Sequence, residues 1–229
     1  MSKTAAPDKQ YHWFDYVRLS GTDGACWLEE YRRWQPVVSQ ILQPLEFLRR
    51  GEVAAGCEML DRAGDALSSV EIKDLSLRLV MDRWYYGVLG YSYYCRELYD
   101  EADRAMVQAQ EALATALREH DFLLVMADDA FELNLHRARI ARNRQRWGEM
   151  WEHCGTALAM REGTLPYYPS RDGSSVWIST IVEFFDSLPV PKQSQPLVPH
   201  LQDLDERKRN TERSIRGIVR FRGLVIEYP

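Results

Sequence analysis

The chain has 229 residues, 45% hydrophobic and 28% charged, with a formal net charge of −5. This composition fits one large or two small globular domains with a substantial core. It offers no overall electrostatic attraction to nucleic acid or an anionic membrane, and the lack of a run of 18 apolar residues excludes a membrane-spanning helix. The opening MSKTAAPDKQYHW has no apolar core or small-residue cleavage site of a secretory signal, so a cytoplasmic location is expected. Cys26, Cys57, Cys95 and Cys154 are scattered, with no CxxC pair for zinc, and read as buried reduced thiols.

Residues 1–10 are polar and read as a disordered tail. The turn residues Ser20 to Ala25 then break an aromatic-rich region and predict a helix starting near Cys26. Val37, Ile41, Leu45 and Leu48 recur at helical spacing, and Pro44 predicts a kink or interruption within that pattern. Gly51 punctuates. Further helices are predicted at about Val53–Leu67, Ile72–Arg96, Asp100–His120, Phe122–Arg144 and Trp147–Arg161. Strand-like alternation is missing, so residues 11–162 read as one all-α domain of long helices and short turns. From Gly163 the texture changes. Prolines at 166, 169, 189, 191, 196 and 199 predict an extended arm, interrupted by a helix at about Ser175–Leu188. A charged helix is predicted at Leu201–Arg216, and the β-branched tail Gly217–Pro229 reads as a short strand or an extended strap. The whole of residues 163–229 is expected to pack on the helical domain.

The segment Tyr86–Ala109 reads YGVLGYSYYCRELYDEADRAMVQA. Gly90 and Ala102 are small enough for two helices to approach closely, with Tyr93 and Tyr99 filling the wedge around that contact. Two fainter copies surround it. Gly51-Glu52-Val53 precedes Gly56, Leu60 and Ala63, and Arg146-Trp147-Gly148-Glu149 precedes Met150, Cys154 and Ala157. The turns then fall at Val53, Tyr99 and Trp147, 46 and 48 residues apart. On Tyr86, Leu89, Gly90, Tyr93, Tyr99, Ala102 and Ala109 the central segment resembles a tetratricopeptide repeat, with units longer than the ~34 residues usual for that family. The resemblance implies stacked antiparallel helical hairpins and a protein-protein interaction role.

Three kinds of site are legible. The first is a partner-binding groove lined by Tyr86, Tyr93 and Tyr94 on one helix and Arg137, Arg139, Arg142 and Arg146 on and after another. Arginine forks suit acidic peptides or subunits. The second starts from Asp128-Asp129-Ala130-Phe131-Glu132, whose spelling is similar to the aspartate-rich motif of class I terpene synthases, although that family's second metal motif is missing. Asp128, Glu132 and His136 share a helix face and begin a metal site for Mg²⁺ or Fe, with Glu149, Glu152 and His153 as further ligands from the next helix. The third is a basic stripe, Arg209, Arg213, Arg216 and Arg220, which with that of Arg139, Arg142 and Arg146 suits nucleic acid, a phosphate group or an acidic partner, or else pairs with Asp and Glu of neighbouring helices.

The expectation that combines these features is a non-enzymatic adaptor. It would take a protein or peptide partner, need no cofactor, and self-associate if the end of the stack is left uncovered. A metal-dependent helical-bundle enzyme and a nucleic-acid-binding regulator are the alternatives.

Overall fold

The structure, a computed structural model, describes residues 13–168, 175–188, 204–221 and 224–225. The chain is all-α. In order come α1 (Trp13–Leu19), α2 (Thr22–Leu42), α3 (Pro44–Arg49), α4 (Val53–Ser69), α5 (Leu75–Cys95), α6 (Tyr99–Glu119), a 3-10 turn (Asp121–Met126), α7 (Asp129–Asn143), α8 (Trp147–Glu162), α9 (Ile178–Ser187) and α10 (Leu204–Val219). The expected tail 1–10 and the proline run 189–199 lie outside the described residues.

Packed antiparallel hairpins form the body: α3 with α4, α5 with α6, and α7 with α8. Their turns share one conformation. Gly51, Glu97 and Gln145 each adopt a positive φ, of 80°, 61° and 59°. Each sits just after a helix and two residues before the next. The following amides, Glu52, Leu98 and Arg146, donate to the carbonyls of Phe47, Tyr93 and Ala141 at 3.0, 3.0 and 2.9 Å. Those of Gly51, Glu97 and Gln145 donate to Leu48, Tyr94 and Arg142 at 3.1, 3.1 and 2.9 Å. This paired pattern caps the open carbonyls at a helix C-terminus. The second helices start at Val53, Tyr99 and Trp147, the three positions expected from the sequence.

Equivalent positions along those helices are buried as well. Gly56, Leu60 and Ala63 on α4 match Ala102, Met106 and Ala109 on α6, and Met150, Cys154 and Ala157 on α8. The close approach expected at Gly90 is present. A Cβ there would stand 2.8 Å from Met106 Cε and 3.2 Å from the Ala102 carbonyl oxygen.

The aromatic N-terminal region builds core. The Trp27 ring stacks on Tyr31 at 5.8 Å and meets Phe122 edge-on at 5.9 Å, while Tyr31 meets Trp84. Trp27 Nε1 donates to Ser76 Oγ at 2.9 Å, and Asp74, which Ser76 contacts, caps α5 by accepting from the Leu77 amide.

Several expected boundaries move. The helix expected from Cys26 starts at Thr22, after Gly21 in a positive-φ conformation (116°), and it runs through Pro36. It stops at Leu42, and Pro44 opens α3 at a first-turn position where its missing N–H costs nothing. The helix expected over Phe122–Arg144 divides into the 3-10 turn and α7. Phe122 to Ala127 are all buried, with α1, α6 and α9 packed around the turn, so no solvent face exists for an amphipathic α-helix. α10 extends to Val219, beyond the expected end at Arg216, because Ile218 and Val219 are buried as α10 packs on α7 and α8. Beyond α10 the chain makes a two-residue antiparallel ladder, Arg220–Phe221 against Leu224–Val225. The thiols also differ from expectation: Cys154 is buried, Cys57 and Cys95 are half-buried, and Cys26 is exposed.

α9 packs on the 3-10 turn and α8. Before it, Tyr168 and Val176 bridge: the Tyr167 amide donates to the Val176 carbonyl at 2.7 Å and the Val176 amide to that of Tyr168 at 3.0 Å.

Candidate functional site

The first helices of the three hairpins contribute to one half-open cavity of about 390 Å³. Arg49 enters at the end of α3. Tyr91 and Tyr94 project from α5, Met106 from α6, and Glu132, His136, Arg139 and Ile140 from α7. Met106 and Ile140 are buried. The Tyr91 and Tyr94 rings stack, with centroids 6.2 Å apart and planes within 15°. Tyr94 is held further by the edge of Tyr99 and by Asn143, whose Nδ2 donates to its hydroxyl at 2.9 Å.

Arg139 lies 3.1 Å from His136 Nδ1. A guanidinium only donates, so Nδ1 accepts and the ring proton sits on Nε2. Burial, and then the positive charges of Arg139, Arg83 and Arg49, hold the His136 pKa down at about 4. The imidazole is therefore neutral at physiological pH. Burial and the nearby Asp128 raise the Glu132 carboxyl, against the pull of Arg139 and Arg161.

Arginines around the cavity are mostly spent on carboxylates. Arg83 pairs with Asp129 at 2.8 Å, Arg137 with Asp103 at 2.8 Å, Arg161 with Asp128 at 2.8 Å, and Arg144 with Asp100. Arg49 and Arg139 have no carboxylate within 4.0 Å among the described residues.

The expected groove residues divide accordingly. Tyr94 and Arg139 meet in the cavity. Tyr93 lies under the Arg96 guanidinium, 5.8 Å from the ring centroid. Tyr86 lines a different depression, with Asp61, Asp65, Asp82 and Tyr85. Arg137 ties α7 to α6 through Asp103 and Gln110. Arg142 donates to the Ile218 carbonyl at 3.3 Å, and Arg146 pairs with Glu149 at 3.0 Å in the turn. The expected stripe of Arg139, Arg142 and Arg146 is thus dispersed, because each faces a different neighbour. On α10, Arg209, Arg213 and Arg216 are exposed and Arg216 pairs with Glu212, while Arg220 is exposed just beyond.

The acidic motif on α7 is a joint between helices. Asp128 accepts from Arg161 and from the Tyr167 hydroxyl at 3.4 Å, and the Arg161 guanidinium lies 4.1 Å over Phe131. Asp129 faces α5 through Arg83. Among the described residues no three His, Cys, Asp or Glu side chains are grouped to hold a metal ion. Asp128, Glu132 and His136 with Glu149, Glu152 and His153 therefore do not assemble the metal site the sequence suggested, because the Asp128 carboxylate is turned to Arg161.

Arg49 and Tyr91 were not singled out from the sequence. A signal for Tyr91 exists in the repeat register: it precedes Glu97 by the same interval at which Arg139 precedes Gln145. Comparison of the chain with protein families, curated proteins and solved structures finds no match. No helix among the described residues is long and apolar enough to cross a membrane.

Proposed function

We propose that this chain is a non-enzymatic interaction scaffold of tetratricopeptide-like hairpins, cytoplasmic, that takes a peptide or protein partner in the cavity formed by α3, α5 and α7. The reading is supported by two arginines lining one cavity, Arg49 and Arg139, that have no carboxylate partner among the described residues, beside a stacked tyrosine pair held in place by Asn143 and Tyr99. Side chains fixed on rigid helices bind without a large ordering cost. Aromatic and arginine side chains are the residues that carry most binding energy at protein interfaces.

The test is parallel affinity capture from native lysate with the unaltered chain and with Tyr91→Ala/Tyr94→Ala, whose helicity is checked by circular dichroism. A partner retained by the first and lost by the folded variant is the expected result. Partners retained equally by both would overturn the assignment to this cavity.

A further inference from the structure

We infer that the α3–α5–α7 cavity anchors a single carboxylate on an acidic peptide segment, held by Arg49 and Arg139, with the neighbouring apolar side chain lying on the Tyr91–Tyr94 pair. This deepens the scaffold reading and rests on it.

Charge selects the anion. The partly buried arginines nearby, Arg83, Arg137, Arg144 and Arg161, are each matched by an aspartate of the chain itself. Among the described residues Arg49 and Arg139 have no such match, and both line the same space. Groups facing that space from α3, α5, α6 and α7 are Arg49, Tyr91, Tyr94, Met106, Glu132, His136 and Arg139, with Ile140 as apolar floor. Two guanidinium groups face a single carboxyl group, so the lining keeps a positive excess whichever way Glu132 is protonated. A carboxylate offsets that excess. An ionised Glu132 repels a phosphate dianion more strongly than a carboxylate.

Geometry selects the rest. A guanidinium fork matches the two oxygens of a carboxylate. By accepting from Arg139, His136 Nδ1 fixes that guanidinium and leaves the Nε2 proton as a further donor. The aromatic wall and the buried Met106 and Ile140 offer an apolar surface next to the charged pair. A volume of about 390 Å³ accommodates an anchor residue and its neighbour, not a long segment.

The experiment titrates the full chain with Nα-acetylphenylalanine, its neutral amide and phenyl phosphate, followed by calorimetry and by ¹H–¹⁵N shifts. The carboxylate is expected to bind and the amide to bind about tenfold more weakly or not at all. Arg49→Gln and Arg139→Gln are each expected to weaken the carboxylate about tenfold, with the thermal midpoint unchanged for the exposed Arg49. Equal binding of acid and amide, equal binding by the variants, tighter binding of phenyl phosphate, or no binding of the carboxylate would each overturn the anchor. Failure of the scaffold reading looks different. In that case the free carboxylate binds through Arg49 and Arg139, and peptides carrying the same terminal residue gain nothing over it. Peptides that bind indifferently to both variants would leave the scaffold standing and remove the anchor.

Discussion

His136 is where local chemistry reaches stability most directly. Its pKa is held at about 4, chiefly by burial and then by Arg139, Arg83 and Arg49, against an ordinary 6.5 in the unfolded chain. The folded state therefore binds fewer protons than the unfolded state between those values. The contribution of His136 is complete above about pH 6.5 and is lost as the pH falls toward 4. The displacement corresponds to about 3 kcal/mol at most. Asp129 and Glu132, both raised by burial, act in the opposite sense, favouring the fold at low pH and losing that contribution as the pH rises. The measurement is thus a difference. His136→Asn is expected to show a smaller loss of unfolding free energy in urea between pH 7 and pH 4.5 than the native chain. Identical losses would mean that the imidazole is not desolvated. The type and position of His136 were readable in the sequence, but its surroundings were not. Arg49, which helps to depress it, lies far away in the chain and becomes its neighbour only once α3 is placed against α5. Separation in sequence likewise concealed Arg161, which claims the Asp128 carboxylate.

At the scale of elements, the repeated turn is the clearest link from sequence to structure. Val53, Tyr99 and Trp147 were legible as turn positions because small residues and aromatics recur around them, and each begins a helix. The positive φ shared by residues 51, 97 and 145 was not legible, since only the first is glycine. A left-handed conformation costs a residue with a Cβ about 1–2 kcal/mol, part of which a glycine gives back through the freedom of the unfolded chain. Glu97→Gly and Gln145→Gly are accordingly expected to stabilise the fold by about 0.5–1 kcal/mol each, and Gly51→Ala to destabilise it by a similar amount. Chemical denaturation of the three variants checks this, and a loss of stability in either glycine variant would show that the native side chain contributes more than its backbone costs. The single helix expected across Phe122–Arg144 shows where periodicity misleads. A run of apolar residues carries the same signal whether one side or all sides will be buried, and only the packing of α1, α6 and α9 around it decides for a 3-10 turn.

Across the whole molecule, helices far apart in sequence meet. α1 and α9 both pack on the 3-10 turn, and Tyr16 of α1 receives the ring of Phe185 of α9 edge-on at 5.3 Å, both side chains fully buried. Phe185→Ala is expected to cost about 3–5 kcal/mol. It is also expected to speed amide hydrogen exchange in α1, although α1 lies more than 150 residues away in sequence; unchanged exchange there would show that the two helices are energetically separate. A linear array of hairpins gains stability by adding units, and each unit senses only its neighbours. This chain is instead fastened like a clasp, with α1 and α9 gripping the same short turn. Melting is therefore expected to be a single event, without the end-fraying of an open array. Evolution or design could not lengthen it by inserting another hairpin without prising that clasp apart.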